Sequence, residues 1–171
     1  MHKINWKFDN TYSKLSETFR EFIKPTPVHN PEIVIFNHQL AQELNLDFSK
    51  ISNTELSKIF SGNSLPDETK TLAQAYAGHQ FGHFTMLGDG RAVLLGEHLD
   101  SKKNRYDIQY KGSGRTSFSR GGDGRAALGP MLREYLISEA IHALNIPTTR
   151  SLAVVKTGEK VVRENLLDGA I

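Results

Sequence analysis

The pentapeptide Gly-Asp-Gly-Arg-Ala occurs twice in this chain, at residues 88–92 and again at 122–126. Either a structural unit repeats every 34 residues, or one local shape serves two places. The flanks decide. The first copy separates the apolar runs QFGHFTML and AVLLGE, and the second leads from a glycine-rich stretch into GPMLREYLISEAIHALN. Beyond the copies, VLLGEHLD and ALGPMLRE do not align, so a solenoid of that period is excluded. The motif therefore sits once between two strands and once ahead of a helix, which makes the chain α+β around glycine-rich loops.

The 171 residues suffice for one domain with a substantial core, and 38% hydrophobic content with 14 glycines is ordinary globular usage. The absence of cysteine excludes disulfides, thiol nucleophiles and cysteine-ligated zinc. A net charge of +2 calls for neither nucleic acid nor an acidic membrane as partner. No apolar run reaches membrane-spanning length, and MHKINWKFDN lacks the apolar region of a secretory signal. A cytoplasmic location follows as the expectation. The segment ENLLDGAI, ending on an apolar residue, reads as a cut inside a longer protein.

Residues 1–77 read as a mostly helical extension. Asp9 or Asn10 can cap a helix carrying Tyr12, Leu15, Phe19 and Phe22. Pro25 and Pro27 enforce an extended stretch before EIVIF, a strand. Asn37 can cap a second helix, Asn53 a third through Phe60, and Pro66 opens a fourth running through Leu72, Ala73 and Tyr76. Residues 78–171 read differently. The first GDG predicts a hairpin turn between two strands. In RYDIQYK, Tyr106, Ile108 and Tyr110 alternate with Asp107, Gln109 and Lys111, which is a strand with one apolar face. Residues 112–125 hold five glycines, three arginines and four hydroxyl residues, a loop composition. The helix after Pro130 has a broad apolar arc of Leu132, Leu136, Ile137, Ala140, Ile141, Ala143 and Leu144, with Arg133 in its middle. A last hairpin is predicted to turn at TGE, residues 157–159.

The candidate chemistry lies in the glycines and the cations. Gly88 and Gly90 allow close backbone approach to a ligand, and Arg91 can point its fork at a phosphate. Lys111 projects from the polar side of its strand toward the basic loop, where Arg115, Arg120 and Arg125 face one Asp123. Taken singly, each is as well explained by an ordinary turn or a solvated cation. On the long helix, Glu134 and Glu139 lie on opposite rims, and either can reach a lysine on a packed sheet. His79 and His83 lie four apart, but Gly78 and Gly82 oppose a helix there, so a structural role is the better reading. The order of these features is more specific than any one of them. A glycine turn between strands, a lysine strand, a glutamate helix and two more strands is the plan of a protein-kinase N-lobe. The kinase glycine motif and the VAIK strand are absent.

Three long motifs, YAGHQFGHFTMLGDGRAVLLGE, DIQYKGSGRTSFSRGGDGRAALGPMLREYLISEAIHALNIPTTRSLAVV and TGEKVVRE, closely resemble the selenoprotein O family, whose bacterial members are called YdiU. PEIVIFNHQLAQELNL resembles its N-terminal region. The resemblance implies a protein-kinase-like fold that binds ATP in a flipped orientation and transfers AMP to hydroxyl side chains of proteins, with Mg2+ or Mn2+. It implies nucleotide-binding roles for Gly88, Gly90, Arg91, Lys111, Asp123 and Gly124, with Glu134 orienting Lys111. It also implies that the catalytic base and the metal ligands lie beyond Ile171 in a C-lobe absent here, so that this stretch alone is inactive. Three other readings stay open: a different donor such as UTP, a nucleotide-sensing pseudokinase module, and an RNA contact through residues 111–125 in which only Phe118 offers a stacking ring.

Overall fold

A computed structural model describes residues 4–171. It is α+β, with two antiparallel sheets and few helices. The first sheet contains β1 (Arg20–Phe22), β3 (Leu72–Gln80), β5 (Ala92–Leu99) and β6 (Arg105–Lys111) in that order, with β4 (His83–Gly88) also paired to β3. The second contains β2 (Glu32–Phe36), β8 (Ala153–Val162), β9 (Leu166–Ala170) and β7 (Ala126–Ala127). Helices α1 (His38–Glu43) and α2 (Asn53–Phe60) follow β2, and α3 (Leu128–Ala143) follows β7 directly.

The main core draws on both sheets. Leu40 of α1, Leu44 just after it, and Leu56 and Phe60 of α2 pack with Leu95, Ile108 and Tyr110 of the first sheet and Val155 of the second. The alternation read in RYDIQYK holds at its C-terminal end, where Ile108 and Tyr110 are buried while Asp107 and Gln109 are exposed; Tyr106, expected on the same apolar face, is exposed. Asn37 caps α1 by accepting from the Leu40 amide at 3.0 Å. The cap of α2 is Ser52, one residue before the expected Asn53. Ser52 and Glu55 bond reciprocally in a capping box, which satisfies two otherwise orphaned donors.

Several expected elements are corrected. The segment Tyr12–Phe22 is not a helix but two single turns, Tyr12–Lys14 and Glu17–Phe19, followed by β1. Pairing of Arg20–Phe22 to Gln74–Leu72 claims the backbone for the sheet. No helix starts at Pro66; Leu72, Ala73 and Tyr76 lie in β3, and Leu72 and Ala73 are buried between β1 and β5. The division anticipated at residues 77 and 78 falls inside this strand.

The first GDG is not a hairpin turn. The chain turns at Phe81 and Gly82, both at positive φ (59° and 82°), as a two-residue hairpin with right-handed strand twist requires. Strands β4 and β5 then run along β3 in one direction. Between the pairs Ala75–Gly88 and Leu72–Leu94, β3 advances three residues and its partner six. Asp89, Gly90 and Arg91 are therefore a bulge within one long strand. TGE repeats the correction, since Thr157–Glu159 is a bulge inside β8 and the chain turns at 163–165. The apolar arc of α3 is largely solvent-facing. Met131 alone is fully buried among its described residues, and Leu136, Ile137 and Leu144 are exposed. Arg133 in the middle of that arc is thereby accounted for.

Candidate functional site

The bulge is held from three directions. Burial raises the Asp89 carboxyl above the usual carboxylate range, opposed by hydrogen bonds from the Gln74 amide and the Gln109 side chain. Asp89 Oδ2 accepts both, at 3.0 and 3.2 Å, so β3 and β6 grip the bulge between them. From the third side comes the loop 112–125. Thr116 Oγ1 donates to the Asp89 carbonyl at 2.6 Å, and Ser119 Oγ donates to the Gly90 carbonyl at 2.6 Å. The Phe118 ring lies against Gly88.

The loop closes at its base. Gly114 N donates to Gly124 O at 3.0 Å, and Ser113 bridges Arg125. Gly124 stands at φ +68°, and a methyl there would overlap the Gly114 backbone. The N-terminal segment buttresses this base. Thr26 N donates to Ser113 O at 2.7 Å, Arg125 donates to the carbonyls of Thr26 and Pro27, and Ser117 N donates to Glu21 at 2.9 Å.

Between the bulge and the loop lies a cleft of about 550 Å³. Six of the seven sequence candidates line it: Gly88, Gly90, Arg91, Lys111, Asp123 and Gly124. The seventh, Glu134, reaches Lys111 Nζ with both oxygens, at 2.7 and 2.8 Å. Thus the two GDGRA copies, far apart in sequence, form two walls of one cleft, with Lys111 beside them. Glu139, the rival acid, instead pairs with Arg150 at 2.7 Å.

The cleft is electropositive. Arg91, Lys111, Arg120, Arg125 and Arg163 line it against Asp89 and Asp123. Arg125 is tied to Glu159 at 3.3 Å and to the carbonyls named above, so it serves as a brace. Arg91 and Arg120 are exposed and have no side-chain partner among the described residues. Their charge is available to a ligand. A cavity of this size with free guanidinium groups suits a small polyanion.

Sequence reasoning missed Arg163. It forms a two-pronged pair with Asp123, at 2.7 and 3.1 Å, and holds the Asp123 carboxyl below the usual carboxylate range. Arg163 lies forty residues downstream, just past the end of β8, and the TGEKVVRE motif that contains it does not single it out. Tyr76, Gln80 and Gln109 also line the cleft without having been singled out. His79 and His83 sit in the hairpin rather than on a helix. Among the described residues, no group of three or more His, Asp or Glu could hold a metal ion, and no helix is long and apolar enough to cross a membrane.

A relative from Pelagibacter ubique, named protein nucleotidyltransferase YdiU, is 69% identical over 168 residues, covering 98% of this chain and 35% of its own. Relatives of the same name from Nitrosococcus oceani (63%) and Anoxybacillus flavithermus (64%) also cover 98% of this chain, and 34% and 35% of their own. The profile of the family described as "Protein adenylyltransferase SelO" matches residues 2–168. The chain belongs to the SelO family of protein nucleotidyltransferases. It spans about a third of the length of the curated relatives it matches.

Proposed function

We propose that this chain is the nucleotide-holding N-lobe of a protein adenylyltransferase with a protein-kinase-like fold. The full-length protein transfers AMP from ATP to Ser, Thr or Tyr hydroxyls of proteins. The observation that carries this reading is the convergence of both GDGRA segments on one cleft beside the Lys111–Glu134 pair. The order of hairpin, lysine strand, glutamate helix and two further strands supports the kinase-like layout. The family description supports AMP as the transferred group.

In this reading Lys111 presents a point charge to the phosphates, and Glu134 fixes where that charge sits. Arg91 and Arg120 supply the further positive charge that a phosphate chain held deep in the cleft requires. Donors already aimed at the developing charge cost no reorganisation during transfer. Gly88, Gly90, Asp123 and Gly124 shape the walls. Mg2+ or Mn2+ would accompany the nucleotide in this reading, and the catalytic base and metal ligands are expected in the remainder of the full-length protein. In this reading residues 1–171 alone transfer nothing.

The test is label transfer to protein by the full-length enzyme. Label appears from ATP marked at the α-phosphate and not from ATP marked at the γ-phosphate. Transfer from the γ position would make the enzyme an ordinary kinase, and preferential transfer from UTP would change the donor.

A further inference from the structure

We propose that Phe118 is a positioning residue of the cleft: its ring is the key that registers the first GDGRA bulge against the second GDGRA loop. The inference rests on the nucleotide reading of the cleft and deepens it. Gly88 and Gly90 were expected to be glycine so that a ligand can approach the backbone. The structure gives them another neighbour. A methyl group at Gly88 would overlap the Phe118 ring, and the three nearest atoms it meets all belong to that ring, Cδ1 at 2.5 Å and Cδ2 at 2.9 Å among them. A methyl at Gly90 would lie 2.8 Å from the Phe118 carbonyl oxygen. Both glycines of the first copy are therefore occupied by one residue of the loop that carries the second.

The hydrogen bonds on either side fix the same register. Thr116 and Ser119 flank Phe118 and bond to the carbonyls of Asp89 and Gly90. Within the loop, Phe118 N donates to Thr116 Oγ1 at 3.2 Å and Thr116 N to Ser119 Oγ at 2.9 Å, which turns the ring toward the bulge. A ring held between two glycine-rich segments gives them the rigidity that their own composition lacks. Arg91 follows Gly90 and Arg120 follows Ser119, so the two free guanidinium groups of the cleft are spaced by this contact. Phe118 itself needs no contact with the nucleotide to act.

The test is a mutant cycle in the full-length enzyme, read in the KM for ATP, in kcat and in the thermal unfolding midpoint. Phe118→Ala raises the KM for ATP about tenfold with a smaller change in kcat, because the phosphate-facing cations lose their spacing. Phe118→Leu, which refills part of the volume, recovers most of that loss. Gly88→Ala raises KM on the wild-type background, and on the Phe118→Ala background it adds little, since the atoms it would strike are gone. Gly90→Ala, which would meet backbone, costs the same on both backgrounds. A Gly88→Ala effect of equal size with and without the ring would mean that the ligand, not Phe118, requires the glycine, and the proposal would fall. An unchanged KM in Phe118→Ala would also overturn it. The unfolding midpoints separate this from the parent reading. If the wild type transfers no α-label, the nucleotide assignment fails, while non-additive midpoints for Gly88→Ala and Phe118→Ala still support the interlock. Additive midpoints in an active enzyme overturn the interlock alone.

Discussion

Periodicity placed Lys111 on the polar side of a strand and two acids, Glu134 and Glu139, on the rims of a long helix; only the family resemblance pointed to Glu134 as the partner. The rival Glu139 could be excluded only once Arg150 was seen beside it. Both members of the Lys111–Glu134 pair remain 41% and 47% exposed, so the pair is worth at most about 1 kcal/mol to folding. Its value is positional. Glu134→Gln should therefore leave the unfolding midpoint nearly unchanged while lowering kcat/KM for nucleotidyl transfer about a hundredfold, a split that steady-state kinetics beside a thermal melt will expose. Asp89 behaves in the opposite way, as a buried group whose role is structural. Its folded-state pKa is raised, chiefly by burial, so the folded state holds the proton more tightly than the unfolded chain. Stability is thus lost as pH rises from the ordinary carboxylate value through the raised one. Asp89→Asn keeps an acceptor for Gln74 and Gln109 without the charge, and should melt above wild type at pH 7.5, with the gap closing toward pH 4. Asp89→Ala leaves both donors without a partner and should cost about 1–3 kcal/mol by denaturant unfolding.

Most sequence errors at the scale of elements share one cause. GDG and TGE each look like a turn, because glycine beside a polar residue between apolar runs is the local mark of one. Both are bulges in strands longer than the local pattern suggests, ten residues in the case of β8. The true hairpin turn at Phe81–Gly82 was hidden because an aromatic residue at positive φ has no compositional signature. The helix expected through Leu72 fails for a different reason, since tertiary pairing with β1 and β5 decides that segment. The loop 112–125, by contrast, was legible from composition, but its closure was not. Gly114 against Gly124 is a contact between two residues without side chains, which no pattern records. Gly124→Ala should destabilise by at least about 2 kcal/mol, combining the left-handed backbone with overlap on Gly114. Gly121→Ala, at φ +82° but in open space, should cost only about 1 kcal/mol. Equal losses at the two positions would mean that the loop base is not closed in solution.

Taken as a whole, the molecule places its cleft at the seam of its two sheets. The loop leaves the first sheet at Lys111 and enters the second at Ala126, so the wall it forms hangs between the two. Lys111 of the first sheet pairs with Glu134 of α3 at one end, and Asp123 of the loop pairs with Arg163 beside the second sheet at the other. This long-range dependence is why Arg163 escaped notice in the sequence while the glycines did not. The second bond has a defined pH behaviour. Arg163 depresses the Asp123 pKa, so the pair's contribution is present above the ordinary carboxylate value and is lost as pH falls through the lowered one. At neutral pH it is fully formed, and with both groups about 40% exposed it adds under about 1 kcal/mol to stability. Breaking it should therefore be felt in the cleft and not in the fold. In the full-length enzyme, Arg163→Ala should raise the KM for ATP several-fold with little change in the unfolding midpoint. Arg163→Lys should fail to restore it, because an ammonium group cannot span both carboxylate oxygens. A lysine that rescues fully would show that only charge at this position matters, and that the fork on Asp123 does not set the loop's place.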